Sequence, residues 1–278
     1  MLYPDSERRI GEIDKLALLF HDKGYPRTAE AIRGFAGILK GKEVPADFLK
    51  RLDLLFDLNL DEFETILSVG QSYRKRCFEE IKEITIDSIG RMGSEFGPAL
   101  LTLYPLFQRV NMFSKVTGSI AEQLSHKETL SEEVVFHLYC YAYLILVEGI
   151  YDELARILYF LAKVQKNNIP NLAGLERMSV RDVLRMFGST PVFLERWDEK
   201  NHIRNAIGHA RTNYDVSRKR VRFIDVNSYG TQTFDSGDIP FSQFVERALE
   251  IEDSLTAFLH IFLLLKIFDL IYSKNAFQ

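Results

Sequence analysis

The sequence contains few cysteines and no marked excess of one charge. Its two cysteines, Cys77 and Cys140, are far apart in the chain, and each lies in a segment with helical periodicity. This pattern excludes a disulfide framework and a cysteine-rich zinc site, and it favours a reducing compartment. The 35 Lys and Arg residues are balanced by 39 Asp and Glu residues, which gives a formal net charge of −4. The protein as a whole therefore has no basic field for nucleic acid, and any RNA site must come from a local patch.

The sequence also lacks the motifs by which proteins bind nucleotide phosphates and metals. Residues 34–42 superficially resemble a phosphate loop, but Ala36 stands where the loop needs its first glycine, and Glu43 replaces the Ser or Thr that binds magnesium. The six histidines do not cluster at metal-ligand spacing; His202 and His209 are seven residues apart, which is two helical turns. We therefore predict no metal site and no cofactor.

Two apolar runs, residues 134–147 and 255–272, are the candidates for membrane spans. The first is too short, and the second, although about long enough, contains Lys266 and Asp269. A charge near the centre of a span costs about 2.5–3.5 kcal/mol. The N-terminal segment becomes charged at once and has no apolar stretch of a secretion signal. We predict that both runs are buried bundle helices of a cytoplasmic protein with no membrane partner.

Apolar residues recur at spacings of three and four along most of the chain, which predicts an all-α fold. A β-branched segment at 221–226, a turn at 227–230 and a return at 231–234 predict a small β-hairpin inserted before the last long helix. The fold class is therefore a helical bundle with one hairpin. The predicted helices span residues 6–22, 28–40, 47–58, 61–92, 99–127, 132–166, 179–188, 191–210 and 241–273.

The best candidate for a domain boundary lies at residues 124–129, where polar residues interrupt the apolar pattern. It divides the chain into a helical N-terminal region, residues 1–128, and a C-terminal helical domain, residues 129–278. The pattern of the N-terminal region assigns it no role. The two parts could also pack as one helical body.

One predicted helix carries an unusual set of polar residues. Asn201, Asn205 and His209 are four residues apart and share one face of the helix. Arg204 lies about 140° round the helix from His209, so only its long side chain would let the two groups converge. Gly208 disfavours a helix and permits a close approach of another backbone or a ligand.

The segment from Arg204 to His209 resembles the signature of the HEPN family: Arg, a polar residue that is often Asn, several others, then His. With the hairpin and the long apolar helix that follow, the resemblance covers residues 131–272 and is closest to HEPN proteins of prokaryotic defence and toxin systems. It implies a helical bundle that forms a homodimer, has an antitoxin or regulatory partner, and cleaves RNA without metal to leave a 2′,3′-cyclic phosphate. One departure is Arg211, where a toxin branch of the family has a tyrosine.

The resemblance makes Arg204, Asn205 and His209 the candidate catalytic residues. Histidine as a residue type titrates near neutrality, so His209 could move a proton between the 2′-hydroxyl and the leaving 5′-oxygen. The forked cation of Arg204 suits the extra negative charge at phosphorus, and Asn205 could orient His209 or bind a phosphate oxygen. Glu148 and Asp152 are predicted to support the guanidinium of Arg204.

The segment after His209 is the candidate RNA-binding surface. Its positive charges outnumber the single carboxylate of Asp215 by four, and Tyr214, Phe223 and Tyr229 are interleaved with them. Cations and aromatic faces of this kind suit single-stranded RNA, and Tyr214 is a supporting residue. The candidate RNA-binding residues are Arg211, Arg218, Lys219, Arg220 and Arg222.

A second interpretation stays open beside the enzyme. Arg204 and His209 are also consistent with a structural polar pair, with the guanidinium bridging a carboxylate such as Glu148. The chain would then be a non-catalytic HEPN-like module that binds nucleic acid or protein, or that dimerises. An RNA-cleaving enzyme and a binding module differ in whether Arg204 and His209 are needed for cleavage.

Overall fold

The computed structural model describes residues 4–41, 44–66, 71–166, 168–187 and 189–272. The structure is 76% helical, with a small antiparallel sheet before the last long helix. The predicted fold class is confirmed. The α-helices are α1 Pro4–Asp22, α2 Pro26–Gly41, α3 Phe48–Ile66, α4 Gln71–Met92, α5 Phe96–Leu100, α6 Tyr104–Ser125, α7 Glu132–Leu144, α8 Asp152–Val164, α9 Leu172–Glu176, α10 Val180–Leu184, α11 Trp197–Gly208 and α12 Phe241–Tyr272.

Shorter helical segments interrupt or connect the α-helices. A π-helical segment, Ile145–Tyr151, joins α7 directly to α8. Single 3-10 turns occur at Gly93–Glu95, Leu101–Leu103, Lys127–Thr129 and Val192–Leu194. The helix predicted as 99–127 is divided, because its first two residues end α5 and a 3-10 turn separates them from α6. The helix predicted as 191–210 has a 3-10 turn near its start, and α11 begins only at Trp197.

The sheet is larger than the predicted hairpin. Its strands are β1 Thr212–Asp215, β2 Arg220–Val226, β3 Gln232–Asp235 and β4 Ile239–Pro240. The predicted hairpin is confirmed as β2 and β3, which pair antiparallel with Ile224 opposite Asp235. Strand β1 pairs with the other edge of β2, and β4 pairs with the start of β2. These two strands have only four and two residues, too few for a period-two pattern to stand out.

One predicted helix start is wrong. The acidic sequence at Asp61 was predicted to open a new helix, whereas α3 continues through it to Ile66. The carboxylate of Glu62 accepts hydrogen bonds from the backbone N–H groups of Arg27 and Thr28, both at 2.7 Å, and so caps the start of α2 instead. By contrast, the predicted start at Ser179 is confirmed, with Ser179 and Asp182 forming a reciprocal capping box.

The chain folds into two compact units, each assembled from separate parts of the sequence. Unit 1 contains Met1–Tyr104, Leu158–Glu176 and Thr256–Gln278, and unit 2 contains Pro105–Ile157 and Arg177–Leu255. The sequence analysis divides the chain differently, into two contiguous domains that meet at residues 128 and 129. That division stays a prediction.

Unit 1 has an aromatic core with a small buried polar network. The rings of Phe48 and Phe96 pack on Phe268 at centroid distances of 6.1 and 5.7 Å. Beside this core, Nδ1 of the buried His260 lies 2.8 Å from Oδ1 of the buried Asn59. Because that amide oxygen can only accept, Nδ1 of His260 is the donor.

Unit 2 is built around α7, the π-helical segment and the first residues of α8, up to Ile157. The rings of Tyr151 and Trp197 stack at 5.3 Å, which fixes the start of α11 against the π-helical segment. A Cβ added to Gly149 would lie 2.6 Å from the ring of Phe113, so only glycine permits this close packing with α6. The buried carboxylate of Glu153 accepts from Arg109 at 2.7 Å and pairs with Arg156 at 3.0 Å.

Two helical stretches are long and apolar enough to cross a membrane, by length and composition alone. They are Glu132–Val164 and Phe241–Ile271, and 44% and 61% of their most apolar windows are buried inside the protein. The core helix of a soluble protein meets the same criterion. The buried-helix interpretation and the cytoplasmic location stay predictions.

The buried His260 should make the stability of the protein depend on pH. Burial lowers the pKa of His260 from 6.5 to about 4, and the Arg74 cation acts in the same direction. Between these values the unfolded chain binds a proton that the folded chain does not, so stability is lost as pH falls through this window. We expect the unfolding free energy to decrease by about 2 kcal/mol from pH 7 to pH 5, measured by urea denaturation.

The matched comparison uses His260→Gln, which removes this titration, and His21→Gln, which removes an exposed histidine of the same unit. The first variant should show a flatter pH dependence than the parent, and the second should be indistinguishable from it. Parallel curves of unfolding free energy against pH for all three proteins would contradict the assignment of this pH dependence to His260.

Candidate functional site

Helix α11 carries the segment that the sequence singled out. Ile203 and Ala206 are buried, as predicted for its apolar side, and the hydroxyl of the buried Tyr143 donates to the Lys200 carbonyl at 3.3 Å. The helix is therefore fixed against α7 along its first two turns. Its polar residues are presented by a rigid element.

The helix ends one residue before His209. The Arg211 N–H donates to the Ala206 carbonyl at 2.7 Å and the Ala210 N–H donates to Ile207 at 3.0 Å, which together form a Schellman motif. Ala210 has φ 52°, in the left-handed region that favours glycine. The predicted helix end at Ala210 is thus corrected, and His209 is an exposed C-cap residue.

Gly208 has no neighbour that requires a glycine. A Cβ built at this position has no heavy atom within 4 Å, and the residue has a helical conformation and is exposed. The packing of the protein itself does not explain the helix-weakening residue. The sequence predicts that Gly208 permits the close approach of another backbone or a ligand, and for a ligand this stays a prediction.

The structure brings Arg204 to one of the two predicted carboxylates, that of Glu148. Its Nη1 lies 3.3 Å from Oε1 of Glu148, which projects from the π-helical segment, so the predicted contact is confirmed. Burial raises the pKa of Asp152 above its ordinary value, against the opposing effect of the Arg156 and Arg204 cations. The Nε of Arg204 is buried and has no hydrogen-bond partner. Short π-helical segments inside α-helices often occur at functional sites.

Asn205 makes a different contact from the predicted one. Its amide nitrogen donates to Oδ2 of Asp225 at 3.0 Å, and Nδ1 of His202 lies 2.8 Å from the same oxygen. Burial acts to raise the pKa of Asp225, but the hydrogen bonds from His202 and Asn205 outweigh it, and the net pKa is lowered. The ring of His202 also stacks on Phe234 at 5.1 Å and 4°.

Sequence reasoning missed Asp225 and gave His202 no role. Along β2, Val221, Phe223 and Asp225 alternate with exposed or half-buried residues and are all buried. This alternation was visible in the sequence and would have marked Asp225 as a carboxylate on the buried face of the strand. The alternation along β2 does not show which helix supplies the hydrogen-bond donors to Asp225.

The five candidate RNA-binding residues fall into two groups. Nη1 of Arg211 donates to the Val226 carbonyl at 3.0 Å, Arg220 donates to the Asp238 carbonyl, and Arg222 forms a two-point ion pair with Asp235. Arg218 and Lys219 lie in the β1–β2 turn and are 77% and 68% exposed. Their carboxylate neighbours are Asp215 at 3.8 Å and Glu132 at 2.9 Å, and exposed pairs of this kind are weak.

Arg218 and Lys219 line a cavity of about 840 Å³ in unit 2. Aromatic side chains line it as well, namely Tyr139, Tyr214 and Phe241. Tyr214 stacks on Phe136 at 4.6 Å, so its ring is held in place. Lys127 adds a third cation, and Glu128, Glu132 and Glu246 add three carboxylates, so the lining is mixed in charge.

The predicted aromatic surface is corrected at one position. Phe223 is fully buried, because it points to the inner face of β2 and packs on Phe244 at 4.9 Å. Tyr229, in the β2–β3 turn, is 90% exposed. Only Tyr214 and Tyr229 of the three predicted aromatic residues therefore have surface that a ligand can reach.

Among the described residues, no group of three or more His, Cys, Asp and Glu side chains is arranged to hold a metal ion. No protein-family model, curated protein or solved structure matches the chain. The resemblance to the HEPN family therefore stays a prediction from the motif and its surroundings.

The strained residue beside His209 gives a stability prediction. Because Ala210 has a left-handed backbone, Ala210→Gly should stabilise the protein by about 1 kcal/mol. The matched control is Ala121→Gly on the exposed side of α6, where a helical backbone makes glycine destabilising by about 0.5–1 kcal/mol. Melting temperatures that move in the same direction for both variants would contradict the strain at Ala210.

Proposed function

We propose that the chain is a metal-independent endoribonuclease of HEPN type in which Arg204 and His209 carry out the reaction. The observation that carries the proposal is the arrangement at the end of α11: an exposed imidazole beyond the last turn, and a guanidinium held by Glu148. The resemblance supplies the setting, a prokaryotic defence or toxin system in the cytoplasm. It also supplies the remaining partners, a second copy of the chain and an antitoxin or regulatory protein.

The chemistry requires only groups that the chain and the RNA provide. The 2′-hydroxyl of the ribose is the nucleophile, and its attack on phosphorus expels the 5′-oxygen of the next nucleotide. His209 exchanges protons with these oxygens, and Arg204 stabilises the charge that develops on the phosphoryl oxygens. The exposed position of Glu148 lets a phosphate compete for the guanidinium.

RNA binding is assigned first to the β1–β2 turn. The exposed Arg218 and Lys219 meet the aromatic side chains of Tyr139, Tyr214 and Phe241 around one cavity. A cation beside an aromatic face suits the phosphate and the base of a single-stranded nucleotide. Arg211, Arg220 and Arg222 are weaker candidates, because their guanidinium groups already bind backbone carbonyls or Asp235.

The second candidate function is a non-catalytic module that binds RNA or protein, or that dimerises. Two contacts favour it: the ion pair between Arg204 and Glu148, and the hydrogen bond between Asn205 and Asp225. Both contacts are expected if Arg204 and Asn205 have purely structural roles. Cleavage assays separate the two functions.

The deciding measurement is cleavage of mixed RNA by the purified protein in EDTA. We expect the wild type to leave cyclic-phosphate ends, and Arg204→Ala and His209→Ala each to lose at least about 100-fold in rate. Arg185→Ala, which removes an exposed guanidinium beside α10, is the matched control and should cleave at nearly the wild-type rate. Folded wild-type protein that cleaves no RNA would favour the binding module.

The two groups of basic residues should differ in RNA binding. For a single-stranded oligonucleotide, each phosphate contact contributes about 0.7 to the slope of log affinity against log salt concentration. The double variant Arg218→Ala/Lys219→Ala should therefore reduce this slope by about 1.4, measured by fluorescence anisotropy in the non-cleaving His209→Ala background. An equal or larger effect of Arg222→Ala would contradict the assignment to the turn.

A further inference from the structure

A second imidazole, that of His202 on α11, is held in the geometry of a proton-transfer group. Nδ1 of His202 lies 2.8 Å from Oδ2 of Asp225, and the same oxygen accepts from Asn205 at 3.0 Å. Asp225 is 6% exposed and sits on the central strand β2. The ring of Phe234 stacks parallel to the imidazole and fixes its plane.

The carboxylate determines which nitrogen of His202 carries the hydrogen. An ionised carboxylate can only accept hydrogen bonds, and the pKa of Asp225 is lowered, so Nδ1 must be the donor. In the neutral ring, Nε2 then has its lone pair free to accept a proton. The side chain of His202 is 28% exposed, so the ring is open to solvent in part. A buried carboxylate that orients an imidazole in this way is a recurrent arrangement for a general base.

His202 and Arg204 lie on α11, and His209 is the residue that caps the end of this helix. Seven residues separate the two histidines, which corresponds to about 10.5 Å along a helix axis. Each imidazole needs to come within about 3 Å of its own oxygen, on opposite sides of one phosphorus. This separation is compatible with a phosphodiester bound between the two imidazoles.

We propose that His202, oriented by Asp225, is the proton acceptor of the site and that His209 is the proton donor. The proposal rests on the proposed RNA cleavage. Nε2 of His202 takes the proton of the 2′-hydroxyl as the 2′-oxygen bonds to phosphorus. The bond from phosphorus to the 5′-oxygen breaks, and His209 gives its proton to that oxygen. The products are a cyclic phosphate and a free 5′-hydroxyl, and exchange with water restores both imidazoles. Asp225 is a positioning residue.

The test separates this role from a merely structural one. His202→Asn keeps an N–H donor at the position of Nδ1 and so can preserve the bond to Asp225, but it removes Nε2. Two substrates are compared: an RNA dinucleotide, and uridine 3′-(4-nitrophenyl) phosphate, whose phenolate leaves without a proton. The matched control is His137→Asn, an exposed histidine on α7. Thermal melting verifies the fold, and His202→Gln serves as a second variant with an amide donor.

We expect His202→Asn to lose at least about 100-fold in kcat on both substrates, because the base is needed in either case. His209→Asn should lose as much on the dinucleotide and much less on the nitrophenyl ester. Asp225→Asn should lower kcat more than it changes KM on both substrates, because its amide no longer enforces the tautomer of His202. His137→Asn should match the wild type.

The failures are distinguishable. If the wild type cleaves, His209→Asn does not, and folded His202→Asn cleaves the nitrophenyl ester like the wild type, His202 is structural and this inference is overturned while the proposed function stands. If the folded wild type cleaves neither substrate, the proposed function is overturned, and the role of His202 with it.

Discussion

The arrangement of the candidate site depends on one buried carboxylate oxygen. Oδ2 of Asp225 is the point at which strand β2 holds helix α11, because it accepts from both His202 and Asn205. A buried charge is tolerated only when donors compensate for the lost water, so the strand and the helix have to stay in register with each other. Arg204 lies between these two donors in the sequence, and its direction is fixed by the same attachment.

The helical architecture was predictable because it follows from a repeating pattern. Apolar residues at spacings of three and four recur over many turns, and this redundancy makes the existence of a helix robust to any single residue. Helix ends depend on single residues and were less predictable. Asp61 was predicted to begin a helix, but the neighbouring carboxylate of Glu62 caps α2, more than thirty positions earlier in the chain. Local sequence does not show which helix end a carboxylate reaches.

The site was predictable where its residues lie on long regular elements. Glu148 and Asp152 are one turn apart in an apolar stretch, and a polar intrusion of this kind indicated a cationic partner, which the contact with Arg204 confirms. The attachment through Asp225 was not predicted, because it joins single residues of two elements whose packing the sequence pattern does not specify. The same limitation placed Phe223 on the surface, although the alternation along β2 places it with the buried residues Val221 and Asp225.

The interleaved construction of unit 2 restricts where the chain can be cut. A fragment that begins at residue 129 keeps the Arg204 and His209 motif but discards α6, which belongs to the same unit. The buried Glu153 would lose the guanidinium of Arg109, and Gly149 would face the space that the ring of Phe113 fills. In an isolated C-terminal half, the charge of Glu153 would be less well compensated. The space left by Phe113 would be an open groove beside the segment that presents Glu148. Helix α6 is therefore an integral part of unit 2, although it lies before residue 129 in the sequence.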